Sequence, residues 1–148
     1  MQADPLNKPV FFSHGTLQVG DPSKTLTFYR DFLGIGCRRH HTAALSAFHG
    51  GLWMIACVIA GKGLHRQGPE NRWLLDMDTA DSVGEARAEA LTYQDHFGIR
   101  TVTDLTPTDD GGISFMIEDI DSNWWEILHR PGKTGRWVDE AFARGDVC

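Results

Sequence analysis

The chain has 148 residues, of which 41% are hydrophobic and 23% charged, a composition typical of one globular domain. Its formal net charge of −6 argues against a nucleic-acid partner, which would require a basic surface. Apolar stretches are too short for a membrane span, and the first residues lack the regions of a signal peptide. Three scattered cysteines indicate a reducing compartment. A cytoplasmic protein with neither a membrane nor a nucleic-acid partner is therefore expected.

The first predicted module begins with a strand that contains a histidine. Residues 10–19 have strand composition and include His14. Asp21 followed by Pro22 is typical of the N-cap and first turn of a helix, and Gly34 is a typical helix stop. After this helix, three further strands are predicted at about 35–41, 43–49 and 52–59.

The same order of elements returns in the second half, after a polar linker at 61–70. A strand that ends near Asp76 precedes a longer helix, predicted from about 82 to 96, with Asp78 or Asp81 as its N-cap. Three strands follow again, at about 99–105, 112–117 and 123–129.

An internal repeat supports this organisation. Residues 26–35 resemble residues 91–99, and each segment closes its helix with a glycine. The sequence therefore predicts one α+β domain of two β-α-β-β-β modules, at about 10–60 and 71–130, with a tail at 131–148. Because such a sheet cannot bury its concave face alone, the modules are expected to pair into a half-open mixed β-barrel with a cleft.

Two segments resemble a known family. One is the strand with His14 and the helix that ends with Phe-Tyr-Arg-Asp-Phe-Leu-Gly at 28–34. The other is the hairpin Asp-Ile-Asp-Ser-Asn at 119–123, followed by Trp-Trp-Glu. Together they resemble the vicinal oxygen chelate superfamily of glyoxalases, extradiol dioxygenases, and fosfomycin- and bleomycin-resistance proteins. The family's hairpin is usually Asp-Pro-Asp-Gly-Asn-x-x-Glu. The resemblance is more specific for the fold than for the reaction, because this scaffold hosts many chemistries.

The resemblance implies a metal site formed by the first and last strands of each module. His14 and Glu126 match two of the family's four ligand positions, and a carboxylate in an apolar strand is costly unless it is paired or bound to a cation. Both are predicted as metal ligands and catalytic residues. Alignment of the two modules places Arg72 and Met54 at the other two positions, and neither suits a divalent metal.

Three hypotheses follow from this departure. In the leading one, Fe, Mn or Zn binds with a third ligand that is not identified, for which His65, His49 and His41 are candidates, and the protein is a dioxygenase-like enzyme, a lyase or an isomerase acting on a small oxygenated or aromatic molecule.

In the second hypothesis, the Arg72 guanidinium fills the metal position, pairs with Glu126 in a bidentate fork and holds an anionic or carbonyl substrate, with His14 as general acid or base. In the third, the protein does no chemistry and sequesters a small molecule without a metal, as bleomycin-binding relatives do.

Alternation along the strands predicts which side chains line the cleft. Trp125 points the other way from Glu126, towards the helices or a partner. A place in the ordinary core is the favoured interpretation of Trp125. Homodimers are common in this fold, and an exposed Trp125 or the C-terminal tail is the candidate for a dimer interface. The predicted substrate-binding residues are Arg72, Met54, Trp124, Leu74 and Ser114.

Overall fold

The computed structural model of the chain describes residues 15–41, 44–49 and 53–132. They form two compact units that divide between Gly63 and Leu64, each with its own mixed sheet. The predicted α+β fold with two β-α-β-β-β modules is confirmed. No helix in these described ranges is long and apolar enough to cross a membrane.

The first unit contains a four-stranded sheet in the order β1-β4-β3-β2. β1 is parallel to β4, and the other neighbours are antiparallel. Leu45, Ala47, Ile55 and Cys57 are buried and form part of its core. The elements of this unit are β1 (Gly15–Val19), α1 (Pro22–Thr27), β2 (Gly36–His41), β3 (Ala44–His49) and β4 (Trp53–Ile59).

The first helix begins and ends as predicted but changes its geometry on the way. The Asp21 carboxylate caps it by accepting a hydrogen bond from the Ser23 backbone N–H at 2.9 Å. A π-helical segment, Phe28–Phe32, continues α1. Gly34 ends the helix with φ of 66°, a conformation that glycine adopts readily.

The second unit contains a five-stranded sheet. Four of its strands are in the order β5-β9-β8-β6, and the fifth, β7, also pairs with β8. β5 is parallel to β9, and β9 is antiparallel to β8. The elements of this unit are β5 (Arg72–Asp76), α2 (Ala80–Thr92), α3 (Gln94–Phe97), β6 (Thr101–Val102), β7 (Thr106–Pro107), β8 (Ile113–Glu118) and β9 (Trp124–His129).

The N-cap of α2 differs from the prediction. The Thr79 hydroxyl oxygen accepts a hydrogen bond from the Ser82 backbone N–H at 3.1 Å, so Thr79 is the cap rather than Asp78 or Asp81. Threonine satisfies the free N–H groups of a first turn much as aspartate does, which is why neighbouring candidates could not be separated by residue type.

The strand predicted at 99–105 is present only in part: β6 covers Thr101–Val102, and the second short strand, β7 (Thr106–Pro107), begins after the predicted range. The Arg87 side chain from α2 donates to the Thr103 carbonyl at 2.7 Å and to the Asp104 carboxylate at 2.9 Å. The backbone carbonyl between the two short strands is therefore bonded to a helix side chain rather than to a neighbouring strand.

The two faces of the second sheet differ in character. One face carries Phe115, Ile117, Trp125 and Ile127, which are buried, and packs against α2. The opposite face, called the open face below, includes Leu74 with 48% of its surface exposed. The other open-face residues used below are Arg72, Asp76, Ser114, Met116, Glu118, Trp124 and Glu126.

The position of Trp125 decides between two interpretations. It points towards the helices, as predicted, it is only 1% exposed, and its indole N–H donates to the Asp119 carboxylate at 3.0 Å. The favoured interpretation of Trp125 as a core residue is confirmed, and the alternative of an exposed Trp125 at a dimer interface was wrong.

Candidate functional site

The β8–β9 hairpin fixes the position of Glu126. One oxygen of the Asp119 carboxylate accepts hydrogen bonds from the backbone N–H groups of Asp121 and Asn123 at 2.8 and 2.9 Å. Ser122 takes the left-handed conformation, with φ of 60°, where the family pattern has glycine. With the turn fixed, Glu126 lies directly beside Met116 of β8 on the open face.

Burial and hydrogen bonding have opposite effects on the pKa values of the two acidic residues at the base of this turn. For Asp119 burial has the larger effect and raises the pKa to about 7, although the hydrogen bonds from Trp125 and from the turn backbone lower it. Burial also opposes ionisation of Glu118, but hydrogen bonds from Arg66, Thr101 and Ser122 outweigh it and lower the pKa of Glu118.

The centre of the candidate site is an ion pair between Arg72 and Glu126. The strand register sets Arg72 beside Trp124 and Leu74 beside Glu126, so the arginine reaches diagonally along the open face. Its Nε donates to Glu126 Oε2 at 2.5 Å. Its Nη1 donates to the Pro69 carbonyl oxygen at 3.2 Å. The predicted pairing is present, but it is a single hydrogen bond and not the predicted bidentate fork.

Three polar atoms near this pair have no hydrogen-bond partner in the described part of the chain. They are Arg72 Nη2, Glu126 Oε1 and Ser114 Oγ. Glu126 is 9% and Ser114 7% exposed, and the Arg72 side chain is 35% exposed. Within the described residues no fully buried polar side-chain atom lacks a partner, so the free atoms of Glu126 and Ser114 face open space.

Arg72, Glu126 and Ser114 line a cleft of about 470 Å³ whose lining residues all belong to the second unit. Its floor includes Ser114, Met116 and Glu126, and the linker residues Pro69 and Glu70 bound one side. The segment 103–109 bounds another side with threonines, a proline and Asp109. The charged groups that line the cleft are Arg72, Glu70, Asp109 and Glu126, which is one cation against three carboxylates.

The linker is tied to the hairpin beside the cleft. Arg66 donates to the Glu118 carboxylate at 2.9 Å, and the Trp124 indole N–H donates to the Gln67 carbonyl oxygen at 3.0 Å. Together with the bond between Arg72 and the Pro69 carbonyl, these contacts hold the linker against β8 and β9 as a wall of the site.

The predicted site residues do not all meet in this cleft. Arg72, Glu126 and Ser114 line it, whereas Leu74 and Trp124 share the open face without lining it. His14 lies outside the described residues, so its role stays a prediction.

The strand registers correct the position predicted for Met54. Thr16 lies beside Ala56 in the first unit, and Leu74 lies beside Glu126 in the second. When β1 is aligned with β5 as predicted, Thr16 matches Leu74, and the match of Glu126 is then Ala56. The predicted match to Met54 was two residues out, a shift that keeps the same face because side chains alternate along a strand. The side chain of Met54 is outside the described part of the chain.

Several cleft residues were missed at the sequence level. Pro69 and Glu70 carried no signal, because a polar linker gives no indication of which sheet it will contact. The segment 103–109 was predicted as strand and loop, with no sign that it would line the cleft. Met116 lies opposite Glu126 on β8.

The described residues do not fit a divalent metal at Glu126. Among them, no group of three or more His, Cys, Asp or Glu side chains could hold a metal ion. One oxygen of Glu126 is already bonded to a guanidinium, which carries positive charge and has no lone pair to offer a metal. His65 is exposed in the linker and belongs to no such group.

Comparison with known proteins identifies the family. The model of the Glyoxalase/Bleomycin resistance protein/Dioxygenase superfamily matches residues 11–127. The chain belongs to this superfamily. The predicted resemblance is thereby confirmed, and no curated protein matches the chain.

Solved structures of other members of this superfamily show the same fold. The fosfomycin resistance protein FosX from Listeria monocytogenes, solved with Mn(II) and sulfate, has a TM-score of 0.65 and 18% identity over 91% of this chain and 99% of its own. Lactoylglutathione lyase from Agrobacterium tumefaciens has a TM-score of 0.57 and 18% identity, covering 83% and 96%. A glyoxalase/bleomycin resistance protein/dioxygenase from Alicyclobacillus acidocaldarius has a TM-score of 0.60 and 16% identity, covering 85% and 96%.

Proposed function

We propose that this protein binds a small oxygenated organic molecule in the cleft of the second unit, without a metal ion at Glu126. The observation that carries the proposal is the hydrogen bond from Arg72 Nε to Glu126 Oε2. A carboxylate paired with a guanidinium is stabilised in its strand without a cation, so the pair supplies what the metal would otherwise supply.

The surroundings of the pair support binding. A volume of about 470 Å³ is within the usual range for small-molecule sites. Glu126 and Pro69 hold the guanidinium from two directions, which lowers the entropy that Arg72 loses when it contacts a ligand. In this proposal Arg72 donates to a ligand oxygen, and Ser114 offers a second polar contact on the cleft floor.

A metal-dependent enzyme is the alternative. Family membership and the similarity to FosX, which was solved with Mn(II), support it. In this alternative His14 and Glu126 are the ligands of Fe, Mn or Zn, and the reaction is dioxygenase-like, a lysis or an isomerisation. A metal on the free Oε1 of Glu126 would lie close to the Arg72 guanidinium on Oε2, so the two positive charges would repel each other.

Elemental analysis separates the two candidates. The protein is purified anaerobically without a metal-affinity tag, incubated in turn with Fe(II), Mn(II) and Zn(II), and desalted. The proposal predicts no stoichiometric metal in the wild type. One equivalent of metal that is lost in Glu126→Ala, but kept in the control Asp109→Ala on the cleft rim, would refute the proposal and establish the metal enzyme.

The remaining expectations concern partners and location. We propose a cytoplasmic location because the cysteines are scattered and odd in number. We also propose a homodimer, because proteins with this fold often form homodimers. Sedimentation analysis of the full chain tests the assembly, and a single species of 16.5 kDa would contradict it.

A further inference from the structure

The Arg72–Glu126 pair leaves one donor and one acceptor free on neighbouring atoms. Nη2 shares a carbon with the bonded Nε, and Oε1 shares a carbon with the bonded Oε2. Each free atom therefore belongs to a group that one short hydrogen bond already holds in place. The Glu126 side chain is only 12% exposed, yet its Oε1 has no partner among the described residues.

A second ion pair in the same unit shows the closed form of this geometry. Arg130 donates to Asp76 through Nε at 3.1 Å and through Nη2 at 2.8 and 2.9 Å, engaging both carboxylate oxygens. That fork is closed and lies outside the cleft. The fork at Arg72 is open and both of its residues line the cleft, so the pair has a donor and an acceptor left for a ligand.

The charges around the open fork restrict what it can bind. A carboxylate ligand would accept from Nη2 but bring its second oxygen against Glu126, in a cleft that already holds three carboxylates. An ammonium would donate to Glu126 but lie against the guanidinium. A neutral group that accepts and donates on adjacent atoms satisfies both partners without repulsion.

We propose that the open fork recognises a neutral carboxamide, whose carbonyl oxygen accepts from Arg72 Nη2 and whose N–H donates to Glu126 Oε1. This inference rests on the proposed binding function and names its ligand class. Of the anionic or carbonyl substrate expected for Arg72 from the sequence, it keeps the carbonyl group and leaves out the anion.

The cleft floor adds a second feature of the ligand. Ser114 lies on the strand next to Glu126, two residues along, a diagonal of about 7–8 Å between backbone positions. Met116 lies directly beside Glu126 and provides an apolar surface between the fork and Ser114. A carboxamide on a small ring, with a hydroxyl at the far end of the ring, matches this order of contacts.

The test uses four probes with one ring and different heads, which are benzamide, benzoate, methyl benzoate and benzylamine. Affinity is measured by titration calorimetry on the full chain. Benzamide is expected to bind at least about 10-fold more tightly than each of the others, the loss expected from one unmade hydrogen bond to a charged group. Arg72→Ala should abolish this preference, and Arg130→Ala, which removes the closed fork, should keep it.

A fifth probe, para-hydroxybenzamide, tests Ser114. It should bind more tightly than benzamide to the wild type and equally to Ser114→Ala, while the control Thr92→Ala on the far helix keeps the difference. Tighter binding of benzoate or benzylamine, or no binding of benzamide at millimolar concentration, overturns the carboxamide inference. Neither outcome decides the proposed function, which the metal analysis tests separately.

Discussion

The two units have the same order of elements, but the matched positions of their sheets carry different chemistry. In the first unit, Thr16 and Ala56 occupy the positions that Leu74 and Glu126 occupy in the second. The match of Glu126 is therefore an uncharged alanine, whereas the match of Arg72, His14, lies outside the described residues. The same arrangement of elements occurs in both units, but among the described residues the proposed binding side chains lie only in the second unit. This teaches that the repeat predicts architecture, whereas a few strand positions determine function.

The largest expected effect comes from Arg72→His, which gives the second unit a histidine at the position aligned with His14. We expect this variant to gain about one equivalent of Zn(II), because it frees Glu126 and supplies a neutral nitrogen ligand. Elemental analysis after desalting is the readout, with Arg72→Ala as the control that frees Glu126 without adding a ligand. If Arg72→His stays free of metal, the arginine is not what excludes metal from this position.

The next largest effect is a loss of stability that we expect to differ between two matched core positions, Trp125 and Ile55. Trp125→Ala is expected to lower the free energy of unfolding by about 3–5 kcal/mol, near the upper end of the range for Ile55→Ala. The tryptophan variant also leaves the buried Asp119 carboxylate without one donor. Urea denaturation of both variants measures the difference. An equal loss would show that the indole hydrogen bond contributes nothing to the second unit.

The pH dependence of stability is expected to come partly from the second unit's hairpin. Because the pKa of Asp119 is raised to about 7 in the folded protein, the folded state holds this proton more tightly than the unfolded state. Stability from this group is present at low pH and falls as the pH rises towards about 7, with no further change above it. Comparison of urea unfolding in the wild type and in Asp119→Asn from pH 4 to 8 isolates this contribution. Parallel curves would contradict it.

The smallest effect on stability is expected at the two glycines that end helices, Gly34 and Gly98. Both have positive φ, but a Cβ at Gly34 would meet nothing within 4 Å, whereas one at Gly98 would lie 2.9 Å from Ile120 Cδ1. Gly34→Ala is expected to cost about 1 kcal/mol from backbone strain, and Gly98→Ala somewhat more. Thermal denaturation ranks the two, and the reverse order would mean that the Ile120 side chain moves away freely.

Sequence patterns predicted the elements that depend on local chemistry. The cap at Asp21, the stops at Gly34 and Gly98 and the period of the long strands follow from single residues and short repeats, and all are present. The early end of the strand predicted at 99–105 was not predictable in this way, because the Thr103 carbonyl is bonded to Arg87, which reaches across from a helix.

The sequence predicted only those site residues whose grouping follows from the alternation of side chains along a strand. Arg72, Glu126 and Ser114 fall on one face because side chains alternate, so their grouping followed from the sequence. The wall formed by Pro69 and Glu70 depends on hydrogen bonds between a linker and a distant hairpin. Such contacts have no local signature, so the shape of the cleft required the structure.

The π-helical segment at Phe28–Phe32 explains how the two copies have diverged in length. The repeat at 26–35 is one residue longer than its counterpart at 91–99. Hydrogen bonds that span five residues instead of four, such as that from the Leu33 N–H to the Phe28 carbonyl, take up one additional residue without displacing the glycine that follows. The first copy thus holds one residue more than the second within its helical segment, and it still buries Phe28 and Tyr29 and ends at the matching glycine.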